Sequence, residues 1–397
     1  LQNERRRKGK YRYILYKIQK GIKLMSNNII SVKQIARETL PRLIDNLVFP
    51  NLIYRDAGEA MAARQGDSVL IRRPVKLEAK EFDKDDGIEM QDLAEDTVEV
   101  KLDKLATVDA AVTAWESSDD ETIRRVFIEP AAAALAEKIN RDGLQLYQDV
   151  WQTAGTAGEV PDGLEDLAAA AYALDVAKVP TDRRVGVWSP LATSRLKQIP
   201  AVVNAAVCGD TTALRTGSVG QIFGMENYMS QAVVHHTAGS LADLSDVTAS
   251  VKSIAVNDAS MVRLTLQFSA AVDMKEIKRG DVLQIGGENY CVLSNNVAFG
   301  NTMDVVLNRI FNGKAGDAVT IHPSHDANLV FHPHAFAFVT RPLSAPAGVE
   351  SYVTTYNGIS LRVVRGYDIR YKKEMLSMDV LYGFKTVYPE LAVRYLG

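Results

Sequence analysis

The chain is poor in the residues that usually carry chemistry. Of its 397 residues only two are cysteine, Cys208 and Cys291. They lie far apart and fit no metal-ligand spacing, so they read as buried free thiols suited to a reducing cytoplasm. No apolar run reaches about 18 residues, so no segment has the pattern of a membrane-spanning helix. Gly313-Lys314-Ala315 lacks the upstream glycine and the following Ser/Thr of a nucleotide-phosphate loop, and Gly217–Gly224 is glycine-rich without dinucleotide-binding spacing behind a strand. No Gly-x-Ser-x-Gly elbow occurs either, which removes one common serine-nucleophile signature.

Histidine is also scarce, but its placement is uneven. Four of the six, His322, His325, His332 and His334, fall within thirteen residues. With Asp326 they form the only constellation that suggests zinc and a metal-dependent hydrolase. Their spacing matches no metallohydrolase motif, and no glutamate is placed as a base among them. Pro323 and Pro333 stand where strand or loop ends are expected. A structural role at a chain crossing, shared with His235-His236, is the better reading. The acids Glu116, Asp119, Asp120 and Glu121 read as a solvated helix start, with nothing to pair them as acid and base.

Net charge is −3, unevenly spread. Residues 1–24 hold nine Lys and Arg against one acid, a balance of +8, so the rest carries −11. Tyr11, Ile14, Leu15, Ile18 and Ile22 share one helical face there, the pattern of a basic amphipathic arm. Met25-Ser26-Asn27-Asn28 reads like a natural start, so 1–24 is expected to be a disordered or non-native leader. The acidic remainder argues against tight, sequence-independent DNA binding, which needs many phosphate-neutralising cations.

The longest helical pattern is Asp119–Thr153. Asp119 and Asp120 suit an N-cap and first turn, and Ile123, Val126, Phe127, Ala131, Leu135 and Ile139 recur at helical spacing. Pro130 predicts a kink or restart. Ahead of it, Ser31–Phe49 predicts a helix made short, bent or two-piece by Pro41. Val69–Leu77 and Val98–Val108 alternate as the two strands of a ribbon with a polar tip at Asp83–Gly87. Behind it come a helix at Asp162–Lys178, a strand at Val185–Trp188 and a helix opened by Ser189-Pro190. From Thr237 to His325 six short alternating segments (Val251–Val256, Val262–Phe268, Val282–Ile285, Glu288–Ser294, Thr302–Leu307, Ala318–Ile321) predict a small inserted β-barrel or sandwich. Strand-rich segments, Tyr352–Thr355, Ser360–Arg365, Lys373–Val380 and Thr386–Leu396, end the chain.

Three stretches carry a family resemblance. Asp120–Arg125, leading into the Ala-rich helix, looks like the start of a capsid spine helix. Arg215–Met225 with Val233-Val234 is similar to the stretch before that family's insertion. Ile277–Val282 with Gly286-Gly287 is similar to the Lys-Arg-Gly-Asp turn of its inserted barrel. Together with the order of parts, they resemble the coat proteins of P22-like tailed phages. The resemblance implies an α+β architecture: an HK97-like capsid fold, with a long spine helix, an extended β-hairpin loop and a mixed axial domain, plus an inserted all-β barrel domain.

The parts then divide as an N-arm (25–63), an extended loop overlapping a neighbour (64–91), a peripheral domain (92–160 and 344–397), an axial domain (161–236 and 326–343) and the insert (237–325). The resemblance implies no catalytic residue, cofactor or metal. It implies a shell of hexamers and pentamers, assembled in a host cytoplasm and residing in the virion, with no membrane. Its partners would be a scaffolding protein, a portal protein and packaged double-stranded DNA held without sequence specificity. Glu38 and Asp45 become candidate scaffold contacts, and Arg64, Arg72, Arg73, Lys84, Asp85 and Asp86 candidate intersubunit residues of the loop. Lys278, Arg279, Gly280 and Asp281 form the insert's turn, and the insert is expected to stabilise the monomer and help set shell size. The stretch Val256–Met261 is short where the family carries a long bridging hairpin, and no Lys–Asn crosslinking pair is identifiable, so the shell is expected to be non-covalent. An encapsulin-like cargo compartment is the alternative from the same fold; those shells usually lack the insert.

Overall fold

A computed structural model describes residues 31–55, 68–73, 96–113, 124–203, 219–244, 247–257, 262–370 and 373–397. The leader, the loop tip with Arg64, Lys84, Asp85 and Asp86, the expected helix start at Asp119–Ile123 and the stretch Arg215–Ser218 lie outside the described residues.

The N-terminal helix Val32–Asn46 is capped by Ser31, whose Oγ accepts the Gln34 N–H at 3.3 Å. Ile35, Leu40, Leu43 and Ile44 repeat at helical spacing and are buried. Pro41 does not divide it, contrary to expectation. The proline is exposed, so its missing N–H falls on the solvent side, where a helix can curve and its carbonyls can be hydrated. A short helical turn, Phe49–Leu52, follows and seats Phe49 fully in the core.

The long helix restarts at Pro130, as its sequence suggests. A π-turn covers Arg124–Ile128, and Glu129–Leu144 is then α-helical, with Pro130 in its first turn where no N–H is required. A tightened turn, Gln145–Asp149, ends it. The expected end at Thr153 is too late, because Thr153–Ala154 pairs instead as a strand with Arg394 and Tyr395. Ala131, Ala132, Leu135, Ala136 and Ile139 form the buried face. Gly143 is needed for contact: a Cβ there would stand 2.5 Å from the Phe49 ring.

This helix packs on a six-stranded sheet. Its order is Tyr54–Arg55, Phe336–Arg341, Lys373–Thr386, Ile359–Asp368, Glu350–Tyr356, with Lys104–Thr113 also paired to Lys373–Thr386. The ribbon begins beside it. Ser68–Arg73 runs antiparallel to Asp96–Lys101, from Ser68 opposite Lys101 to Arg73 opposite Asp96. The expected strand Val98–Val108 is therefore two strands. After buried Leu102 the chain changes partner, and Lys104 onward pairs with Lys373–Tyr382. Val69, Ile71, Val98 and Val100 pack on Ala337, Val339 and Val387, so the ribbon's base rests on its own body.

A second, seven-stranded sheet has the order Thr153–Ala154, Ala392–Leu396, His325–Phe331, Arg184–Trp188, Met225–Met229, Gln221–Ile222, with His235–His236 added on His325–Phe331. Helices Leu164–Val176 and Pro190–Leu196 cover it through Leu167, Ala170, Leu174, Ala192 and Leu196. The two sheets exchange strands relative to the expected division at 343/344. Phe336–Arg341 belongs to the first sheet and Ala392–Leu396 to the second. Ala392–Leu396 is buried along its whole length, which requires a place between two neighbours.

The segment between the crossings forms a separate six-stranded sheet: Glu288–Cys291, Val282–Ile285, Ala318–Ile321, Ala249–Asn257, Val262–Phe268, Thr302–Leu307. All six expected segments are strands, with Glu288–Ser294 ending early at Cys291. A bridge between Val292 and Leu307 and the Leu293 N–H donating to the Val306 carbonyl at 2.9 Å bond the two edges to each other. Leu264, Leu266, Leu283, Ile285, Tyr290 and Val305 fill a core of its own.

Candidate functional site

The insert meets the body at the C-terminal end of the long helix, and the contact is polar and buried. The Lys278–Asp281 turn makes it. Gly280 adopts φ +91°, and a Cβ there would lie 2.9 Å from Gln148 Cγ, so only glycine fits this approach. Asp281 is fully buried. Its carboxylate accepts the N–H groups of Lys278 (2.7 Å) and Gly239 (3.1 Å), which closes the turn and ties it to the first crossing. Arg279 reaches outward to Asp149 at 3.1 Å. Lys278 pairs at the surface with Glu276 at 3.4 Å.

Under the turn lies a layer of buried titratable groups. His236 Nε2 stands 2.8 Å from Asp281 Oδ1. A carboxylate accepts, so this nitrogen carries the proton, and Nδ1 accepts the Tyr147 hydroxyl at 3.0 Å. Arg394 is fully buried; its Nη1 donates to the Gly280 carbonyl at 2.7 Å and its guanidinium lies 4.5 Å from the Tyr147 ring centroid. The Cys291 thiol donates to the Val150 carbonyl, and burial pushes its pKa up to about 12. Burial lowers His236 and Arg394 from their ordinary values, with the Asp281 hydrogen bond opposing the shift on His236. The Asp281–His236–Tyr147 chain has the connectivity of a catalytic relay. However, all three side chains are buried and belong to elements locked together, so it serves as a joint between insert and body.

The histidine stretch does not converge. His325 belongs to this junction, with its ring centroid 5.3 Å from that of His236. His332 and His334 stack on each other at 5.2 Å around the Pro333–Ala335 turn between the two sheets. Among the described residues no three His, Cys, Asp or Glu side chains are grouped to hold a metal ion.

The other candidate residues are scattered. Glu38 is half-buried and Asp45 exposed, seven residues apart on one side of Val32–Asn46. The helix's apolar face is occupied by the body, so only its charged side is open. Arg72 and Arg73 end the described strand Ser68–Arg73, at the end of the ribbon pairing away from Lys101. Sequence reasoning missed Arg394 and Tyr147. A single charge inside the apolar run Ala392–Leu396 was the available signal for Arg394; Tyr147 offered none.

No protein-family model matches the chain, and no curated protein matches it. Similar solved structures include one described as Mycobacterium phage Che8, at 17% identity and TM-score 0.48 over 88% of this chain and 90% of that one. The capsid structure of the Cyanophage P-SCSP1u is similar at 13% identity and TM-score 0.46, over 88% of this chain and 87% of that one. A virus-like particle from Pyrococcus furiosus is similar at 10% identity and TM-score 0.39, over 92% of this chain and 98% of that one.

Proposed function

We propose that this chain is a major capsid protein. Its copies assemble, with a scaffolding protein, into the icosahedral shell of a double-stranded DNA phage. One observation carries the reading. A long helix lies on a sheet that starts an antiparallel ribbon, and its C-terminal end receives an inserted all-β unit whose sheet is bonded edge to edge. We read these as the spine helix, the extended loop and the inserted barrel of an HK97-like fold. We take the axial domain as 161–236, 326–331 and 392–397, since Ala392–Leu396 pairs with His325–Phe331 and Phe336–Arg341 does not, and assign most of the rest outside the N-arm and loop to the peripheral domain.

The work of such a protein is assembly. Many modest contacts between copies sum by multivalency, and an acidic inner surface would keep packaged DNA from adhering. Glu38 and Asp45 would meet a basic scaffold segment, a portal protein would occupy one vertex, and the assembled product would reside in the virion. The insert's presence favours this reading over an encapsulin-like compartment.

Electron microscopy of the protein begun at Met25, expressed with and without its neighbouring scaffold gene, tests the proposal. Uniform closed shells are expected with the scaffold. Shells formed equally well alone would favour the compartment reading, and a monomer under both conditions would overturn both.

A further inference from the structure

The two places where the chain passes between body and insert are paired with each other: His236 lies opposite His325, and His235 opposite Asp326. His325 is buried, and its Nδ1 stands 2.7 Å from the Pro323 carbonyl. A carbonyl accepts, so Nδ1 carries the proton and Nε2 is bare. That Nε2 is buried without a hydrogen-bond partner, as is His322 Nε2.

We propose that His325 is a proton-operated latch: neutral, it lets the insert seat on the end of the long helix, and protonated, it lifts the Lys278–Asp281 turn away. A proton added at Nε2 would create a buried cationic N–H with no acceptor, close enough to Arg394 to be repelled by it. Arg394 cannot retreat, being fully buried and bound to the Gly280 carbonyl. Relief requires water, which lifting the turn would admit beside Arg394, whose partner is the turn's Gly280 carbonyl.

The neighbouring groups do not supply an alternative partner. From the helix end come Tyr147 and Asp149, the latter paired with Arg279. From the insert come Lys278, Arg279, Asp281 and Cys291, with Asp281 bonded to His236. From the crossings come His235, His236, His322 and Asp326, with Asp326 bonded to His235 at 2.8 Å. From the last strand comes Arg394. His236 can accept a proton and keep Asp281 as its counter-ion, whereas His325 has no carboxylate of its own.

Burial and then Arg394 hold the pKa of His325 down to about 3, against 6.5 for the free side chain. The closed form therefore binds fewer protons than the open form, so acid opens the junction. Between those two values each pH unit favours the open form by about ten-fold, ~1.4 kcal/mol.

Hydrogen exchange on the full chain reads this directly through the amides of Gly239 and Lys278, which donate to Asp281. After correction for intrinsic rates, their protection is expected to fall about five-fold on account of His325 from pH 6.5 to 5.5, the open form being already half protonated at 6.5, while the Val330 and Phe331 amides hold. H325Q is expected to remove the His325 share of the slope and leave only what His236 and His322 contribute, both also lowered by burial, whereas H236Q is expected to keep the His325 share. A flat wild-type profile overturns the latch even if H325Q fails to fold. An unchanged slope in H325Q, or a slope lost in H236Q, overturns the assignment to His325.

Discussion

The Tyr382 hydroxyl donates to Asp142 Oδ2 at 2.7 Å inside the core, joining the strand Lys373–Thr386 to the long helix. Asp142 also holds Lys138 at 2.8 Å and Lys104 at 3.7 Å. Burial pushes this carboxyl upward, but the hydrogen bonds from Lys138 and Tyr382 and the charge of Lys104 outweigh it and leave it below its ordinary value.

Acid sensitivity follows with a definite sign. A carboxylate whose folded pKa is depressed stabilises the fold above its unfolded value of 3.8, and that contribution is lost as pH falls through the folded value. D142N is expected to be less stable at neutral pH and to lose less stability than wild type below about pH 4. Y382F, which leaves the carboxylate one bond short, is expected to lose about 1–2 kcal/mol in denaturant unfolding at pH 7. Equal acid dependence of D142N and wild type would contradict the account.

At the junction, G280A combines a φ of +91° with a contact to Gln148. A loss of about 1–3 kcal/mol is expected. Adding Q148A removes the contact but not the backbone strain, so the double variant is expected to recover only part. Full recovery would show that crowding alone was at fault.

Phe49 sits with its ring centroid 5.5 Å from Phe331, 5.6 Å from Phe336 and 6.2 Å from Phe384. F49A is expected to cost about 3–5 kcal/mol. The Asn140 carboxamide beside it accepts the Val48 and Phe49 N–H groups and donates to the Asn46 carbonyl. N140A is therefore expected to release the same segment. Limited proteolysis near residues 46–52 should rise in both variants.

Pro41 lies exposed within an unbroken helix. P41A restores one backbone bond and removes a poor helix former, so it is expected to stabilise the chain by about 1–3 kcal/mol in thermal unfolding.

Local patterning made much of the fold legible. Alternation located the insert's six strands because each buries one face of a small sheet, and Val262–Phe268 alternates buried and less buried positions along its length. Strands buried on both faces carry no such rhythm. For that reason the position of Ala392–Leu396 in the second sheet could not be read; the change of partner at Leu102 was hidden for the opposite reason, because the same alternation runs unbroken from Thr97 to Val108. The Lys278–Asp281 turn stood out by its composition, yet its partners lie 45 residues from Asp281 at His236 and 114 from Gly280 at Arg394. Only tertiary pairing brings those together.

The pairing of His236 with His325 means that the insert leaves and re-enters the body at one spot. Cutting there and joining the two short strands with a tight turn would leave the body's strand order unchanged. The segment between them is thus expected to be removable as one piece, and the body rejoined in this way is expected to fold without it. Arg394 ties the two parts together, since its buried guanidinium has the Gly280 carbonyl as partner, and a body without the segment would leave that charge unpaired unless an apolar residue replaced it.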